Sequence, residues 1–432
     1  MQDSVVDELF FFLMNYTISF VRMSVAHAGA MYSKREVYMK KLLATVVCLL
    51  VVPSVSLSGN DDPSSPYAVW KNGPSSDPGY FPIAVWLQDP ADANAYKEAG
   101  VNLYVGLWEG PTEKQLALLR EAGMQTICHQ NDVGLKYIGD SVIIGWMHGD
   151  EPDNAQRPIV NGQWSPPVLP EKIIADYRTI SRKDPSRPVL LNLGQSVAWN
   201  NYIGRGVRRN HPEDYPEYAK GSDIVSFDIY PVTSSYPETS GNLWLVPRGV
   251  ERLLTWTNHQ KVVWNCIETT KIRAERRATP HELRAEVWMS IVHGSRGIIY
   301  FVHEWAPETD TRRLLNDPEM LDAVTKVNAE IRDLAPVVNS PTFHYGAEVT
   351  PTQPEIPVDV MVKRYGGAVY VFSCGMRNGS TDASFLVSGL GERAVAEVLG
   401  ENRTVEIENG SFTDSFEPWD VHIYRCETLS GE

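Results

Sequence analysis

The sequence predicts an α/β protein, a (β/α)8 TIM barrel followed by a small antiparallel β-sandwich. Eight short apolar runs alternate with amphipathic stretches over about 255 residues, the usual span of such a barrel. From about Thr342 the helical period gives way to short runs separated by Gly, Asn and Pro turns, as in a small all-β domain. The 432 residues, 43% hydrophobic and 22% charged, are enough for both parts, and that composition excludes wholesale disorder, collagen and coiled coil.

The elements follow in chain order. Met39-Lys40-Lys41, the apolar run Leu42 to Pro53 and the small residues Ser56-Leu57-Ser58 before Gly59 form the three-part pattern of a secretory signal over residues 39–58. Its apolar run is short for a bilayer span, and Cys48 lies inside that run rather than at the cleavage point. The sequence therefore predicts a secreted or periplasmic protein with no stable membrane anchor. Residues 1–38, with Asp3, Asp7 and Glu8 where a basic region belongs, read as an upstream extension. Residues 59–79, rich in Gly, Asn, Asp, Pro and Ser, read as a lead-in.

The barrel is expected over residues 80–340. Its strands are Phe81–Leu87, Val101–Trp108, Gln125–His129, Val142–Trp146, Pro188–Leu193, Asp223–Tyr230, Val262–Ile267 and Gly297–Val302. Thr112–Ala122, Pro170–Arg182, Pro280–His293 and Asp317–Leu334 carry helical spacing. An open doubly wound sheet is the rival, but Trp86-Leu87-Gln88-Asp89-Pro90 follows the first strand where a glycine-rich phosphate turn would stand. Residues 341–432 form the β-sandwich, with strands at Val358–Val362, Ala368–Ser373, Ala383–Val387, Ala394–Leu399, Thr404–Ile407 and Val421–Tyr424.

Thirty-nine Lys+Arg against 54 Asp+Glu give a net charge of −15, which repels phosphate backbones and argues against nucleic acid as a partner. Cys128, Cys266, Cys374 and Cys426 show no zinc-type pairing; Cys374 and Cys426 are open either to a disulfide or to two buried thiols. Nothing in the sequence sets an oligomeric state.

In a barrel, function sits at the C-terminal ends of the strands. The fourth strand ends in Trp146-Met147-His148-Gly149-Asp150-Glu151-Pro152-Asp153, and the seventh in Trp264-Asn265-Cys266-Ile267-Glu268. Glu151 and Glu268 are thus placed where buried strands emerge, and paired carboxylates across a cleft suit glycosidic cleavage. These motifs resemble the large retaining clan A of glycoside hydrolases. The resemblance covers roughly residues 80–335 and implies Glu151, before Pro152, as acid/base and Glu268 as nucleophile. It also implies that Tyr230, in Phe227-Asp228-Ile229-Tyr230-Pro231, touches the nucleophile, and that Trp305 lies under the bound sugar. Asp150 departs from the clan, which usually has an Asn there; an ionised Asp accepts a hydrogen bond from the sugar 2-hydroxyl instead of donating one.

Trp86, Trp108 and Trp305 are expected to stack on sugar faces. His129, Asn131, His148, Asn192, Asp228 and Trp264 complete the expected substrate site. The expected partner is a poly- or oligosaccharide, with no cofactor and no metal. The resemblance further implies carboxylates roughly 5–5.5 Å apart, retention of the β configuration and a bell-shaped pH profile with an acidic optimum. Two rivals stand beside it: a non-catalytic carbohydrate-binding barrel, and a metal-assisted hydrolase built from His129, His148, Glu151 and Asp153.

Overall fold

The computed structural model describes residues 65–160, 163–272 and 275–427. The expected secretory signal, the residues ahead of it and the first part of the lead-in lie outside the described residues.

Eight parallel strands form a ring: β1 (Ile83–Trp86), β2 (Leu103–Val105), β3 (Gln125–His129), β4 (Ile143–Met147), β5 (Val189–Leu193), β6 (Ile224–Phe227), β7 (Val262–Val263 and Asn265–Glu268) and β8 (Ile298–Phe301). Neighbours pair in chain order. The first segment of β7 pairs with β6, the second with β8, and β8 pairs with β1, so the ring closes through β7. Each strand is followed by a helix: α1 (Ala93–Glu98), α2 (Glu113–Ala122), α3 (Asp132–Leu135), α4 (Pro170–Lys183), α5 (Tyr215–Ala219), α6 (Leu245–Trp256), α7 (Pro280–Val292) and α8 (Pro318–Asn339). Thr112 with Gln115 and Thr279 with Glu282 close capping boxes that start α2 and α7 at defined residues, so the loops above β2 and β7 end at fixed points.

The strands read as apolar runs because both faces are buried. Ala84, Trp86, Leu190, Trp264, Cys266 and Ile299 fill the barrel interior, while Val85, Leu191, Val263, Ile267 and Tyr300 pack outward against the helices. The lead-in reaches this interior: the Tyr67 hydroxyl donates to the Arg296 carbonyl (2.6 Å) and accepts from Trp264 Nε1 (2.9 Å). It closes the end of the barrel opposite the loops that follow the strands. A hairpin, Gln156–Val160 with Gln163–Ser165, is inserted between β4 and α4.

The C-terminal domain has eight antiparallel strands, β9 (Ala347–Pro351), β10 (Val358–Tyr365), β11 (Ala368–Gly375), β12 (Thr381–Val387), β13 (Arg393–Val398), β14 (Arg403–Glu408), β15 (Ser411–Phe416) and β16 (Val421–Glu427). Their order is β9-β12-β15-β14-β13-β16-β11-β10. Two of these strands, β9 and β15, are absent from the sequence-based expectation. In β15, Ser411, Thr413, Asp414 and Ser415 dilute the apolar signal, and only Phe412 and Phe416 face the core. The domain packs on α7: Trp288 stacks on Phe372 with centroids 5.4 Å apart, and Arg284 donates to the Val421 carbonyl (2.8 Å).

Cys374 and Cys426 are buried free thiols. They lie on adjacent strands, but Cys374 is opposite Val421 and Cys426 opposite Val369. Five residues of strand separate them, about 17 Å, well beyond disulfide reach.

Candidate active site

The C-terminal ends of β4, β5 and β6 bring four acids and one amide together. Asn192, on β5, donates from Nδ2 to Asp150 Oδ1 (2.9 Å) and to Asp228 Oδ1 (3.0 Å). Ser226 Oγ donates to Asn192 Oδ1 (2.7 Å), which orients the amide so that its two N–H bonds face the two carboxylates. Because those bonds diverge by about 120°, the two carboxylate oxygens stand roughly 5 Å apart. Glu151 follows Asp150 with φ at 40°, in the left-handed region that a non-glycine residue rarely occupies. The strain sits at Glu151 itself, in the loop that follows β4.

Asp150 and Glu151 both touch solvent, but a mouth walled by protein hydrates a charge poorly. Burial first, then the Asp228 charge, pushes Asp150 up to about 7. Glu151 is held well above the usual carboxylate range by burial, then by Asp228, Asp150 and Asp153. Asp228 is also raised, by burial, against the hydrogen bond of Asn192, with the polar Tyr230 and Cys266 side chains beside it. Like charges this close share protons. Glu151 is the carboxyl most strongly held protonated by its surroundings, and Asp228 has the Asn192 donor that favours ionisation.

Glu268 ends β7 in a different setting. It is fully buried, and its oxygens accept from the backbone amides of Val232 (2.7 Å) and Thr233 (2.9 Å). The expected donor, Tyr230, instead lies beside Asp228, because the chain turns after Tyr230 and aims its next two amides at β7. Glu286, buried on α7, leans on Glu268, and neither Glu286 oxygen meets an N–H or hydroxyl donor. Burial, then the Glu268 charge, holds Glu286 well above the ordinary carboxylate range, and the Glu286 carboxyl in turn favours the ionised form of Glu268. Burial pushes Glu268 up to about 7, with the two amides pulling the other way.

The remaining expected residues divide. Trp108 is 69% exposed and Trp305 37%, so both offer aromatic surface. His129, at the end of β3, is exposed. Trp86 is buried in the barrel interior. Trp264 does not reach the mouth: it is fully buried against Tyr67 at the opposite end, because it enters β7 four residues before Glu268. Asn131 is a helix cap, accepting from the Gly134 amide (2.8 Å) and donating to the Pro111 carbonyl (2.9 Å). His148 is buried on the Gly221 carbonyl (2.8 Å). Asp153 accepts from the Gly194 amide and the Tyr215 hydroxyl, both at 2.8 Å. With His148 and Asp153 so engaged, the four residues of the metal reading do not converge, and among the described residues no group of His, Cys, Asp and Glu is placed to hold a metal ion.

Sequence reasoning missed Glu286 and the amides of Val232 and Thr233. A glutamate on a helix is ordinarily a solvent residue; the available signal was its place between Ala285 and Val287 on a helix buried nearly all round.

No family model matches the chain, and no curated protein matches it in sequence. Solved structures do. A single-site variant of AmyP in complex with maltotriose superposes with a TM-score of 0.51 at 10% identity, covering 82% of this chain and 98% of that one. The α-amylase from Geobacillus thermoleovorans complexed with acarbose gives 0.51 at 11% identity, covering 84% and 100%. The likeness lies in the fold, a (β/α)8 barrel followed by an antiparallel β-domain, which is the architecture the clan A resemblance implies.

Proposed function

We propose that this protein is a glycoside hydrolase that cleaves β-glycosidic bonds of a poly- or oligosaccharide, with Glu151 as the proton donor, and that it is exported to do so. The observation that carries the reading is Glu151 itself. It is a strained strand-end carboxyl held protonated by burial and by Asp228, in a mouth flanked by exposed tryptophans. A carboxyl raised well above its ordinary range can protonate a departing glycosidic oxygen.

In the retaining reading the nucleophile is Glu268. Two backbone amides and the Glu286 proton favour its ionised form. Attack on an anomeric carbon requires the Val232–Thr233 stretch to move off its oxygens. A second reading makes Asp228 the ionised partner. It is favoured by the Asn192 hydrogen bond, which supports the ionised form of Asp228, the carboxylate whose charge raises Glu151. Either carboxylate would form a covalent glycosyl-enzyme that water hydrolyses with Glu151 as base.

The pKa shifts move the expected pH optimum. With Glu268 as nucleophile, the acid limb lies near its value of about 7 and the alkaline limb belongs to the raised Glu151, so activity should fall away in the acidic range. The test is turnover of aryl β-glycosides and a panel of plant and algal polysaccharides, with the anomer of the first product read by NMR. Retention at a neutral optimum supports the reading. Hydrolysis of none of them, or an initial α-anomer, overturns it.

A further inference from the structure

A second cavity, of about 810 Å³, opens at the other end of the barrel, where β7 and β8 begin. The Gly294–Arg296 turn, the Thr342–Ala347 connection, β10 and Trp70 of the lead-in wall it. Its titratable side chains are Asp223, His259, Lys261, His293, Arg296, His344 and Lys363, six bases and one acid. The acid is engaged: Asp223 accepts from the Tyr177 hydroxyl (2.7 Å) and the Val189 amide (2.9 Å).

Lys363 is 1% exposed. Its Nζ donates to the Ser340 carbonyl (2.6 Å) and to Thr342 Oγ1 (3.0 Å), which leaves one of the ammonium's three donors uncommitted. Arg296 gives Nη1 to the Val338 carbonyl at 3.3 Å. Among the described residues neither cation has a carboxylate within ion-pair distance. Other buried cations of the molecule do: Arg187 has Asp184 (2.7 Å), Arg205 has Asp214, and His293 stands between Glu251 (2.8 Å) and Asp359 (3.3 Å). Desolvating two neighbouring cations without a counter-charge is costly, and here the missing charge borders on open volume.

We propose that this cavity binds an oxyanion (a sulfate, phosphate or carboxylate group) between the Lys363 ammonium and the Arg296 guanidinium. Tyr345, 97% exposed at the rim, offers a ring face beside it for the rest of an acidic saccharide. The site is independent of the reaction at the mouth. Its binding is pH-linked: burial, then the Arg296 charge, pulls Lys363 down to about 7, and a bound anion favours the charged form. His293 stays charged through that range, raised to about 9 by Asp359 and Glu251 against its burial, and Lys261 holds the Ser222 carbonyl (2.5 Å); His259 and His344 also line the cavity, and Lys363→Met separates the Lys363 part of the change from theirs.

The test is calorimetric titration of the full chain with sodium sulfate, sodium phosphate and trigalacturonate, each against sodium chloride at equal ionic strength. Saturable binding is expected, strengthening as pH falls from 8.5 to 6, and weaker by about tenfold or more in Lys363→Met. Trigalacturonate binding tighter than sulfate marks an acidic saccharide as the ligand; sulfate or phosphate binding as tightly marks a free inorganic anion. Arg296→Gln, with an intact circular-dichroism spectrum, gives the same reading if Lys363→Met fails to fold. No saturable binding of any of the three, or equal affinity in wild type and both variants, overturns the proposal.

Discussion

The mouth and the Asp184–Arg187 side of the far end treat charge in opposite ways. At the mouth, Asp150, Glu151 and Asp228 face one another, and Glu268 faces Glu286, so carboxylates are packed against carboxylates and every one of them is raised. At the far end, Asp184 and Arg187, both essentially unexposed, form an ion pair at 2.7 Å, and Trp146 Nε1 adds a hydrogen bond to the same carboxylate (3.0 Å). Burial alone would raise Asp184, yet Ser186, Arg187 and Trp146 outweigh it and hold it below its ordinary value. The Asp184–Arg187 side of that end is arranged for stability. The mouth keeps charges whose company is unfavourable, and such arrangements concentrate where protons are moved.

The largest expected effect separates the two acidic groups of the mouth. If Glu268 is the nucleophile, Glu268→Ala lowers kcat by about 10⁴–10⁶ while Asp228→Ala costs far less. Azide then restores turnover of Glu268→Ala, giving an α-glycosyl azide. The reverse pattern, with rescue in Asp228→Ala, moves the chemistry to the Asn192-bridged acids. Glu151→Ala should lose about 10²–10⁴ on unactivated substrates and far less on aryl glycosides with good leaving groups, read as kcat on matched substrates. An equal loss on both would show that Glu151 protonates nothing.

At the paired end the expected effect is on folding. Asp184→Asn leaves Arg187 charged and unpaired in the interior, at a cost of about 3–5 kcal/mol in denaturant unfolding. The folded-state pKa is depressed, so the wild-type contribution is present above the unfolded value near 3.9 and fades as pH falls through the lower folded one. A variant as stable as the wild type at pH 7 would erase the contrast between the two ends.

How much of this was legible in the sequence follows from the same contrast. The barrel strands were readable because parallel strands buried on both faces appear as unbroken apolar runs, and the loop that carries Glu151 was readable because it follows one of them. Trp264 was misplaced because position along β7 decides which end of the barrel a residue reaches, and an apolar run does not mark its own middle. Glu286 and the Val232 and Thr233 amides were invisible for another reason. Their role arises where α7 and the turn after β6 meet β7, a long-range juxtaposition that no local spacing encodes.

Glu286 offers a gentler test of the sealed pair. Glu286→Gln keeps a neutral hydrogen-bond donor toward Glu268, as the protonated Glu286 does. The acid limb of the pH–rate profile should therefore stay near about 7, with kcat at the optimum changed only a fewfold. Glu286→Ala removes the donor, so Glu268 should ionise less readily and the acid limb should move up. An acid limb unmoved in Glu286→Ala would mean that Glu268 does not govern the rate.

The smallest effect runs against the usual direction of mutation. Asp228 is almost entirely buried, and its folded-state pKa lies above the unfolded value near 3.9. The folded protein therefore binds a proton there more tightly than the unfolded chain. Stability from this group is fully present below the unfolded pKa and declines as pH rises through the folded one. Asp228→Asn keeps an oxygen for the Asn192 amide and removes the titrating charge from beside Asp150 and Glu151. The variant should be more stable than the wild type by about 0.5–2 kcal/mol at pH 8 and nearly equal to it at pH 4, measured as the difference in thermal midpoint across that range. A gain that grows toward low pH would have the wrong sign for a like-charge cluster, and the mouth would then have to be read as a paired site like the far end.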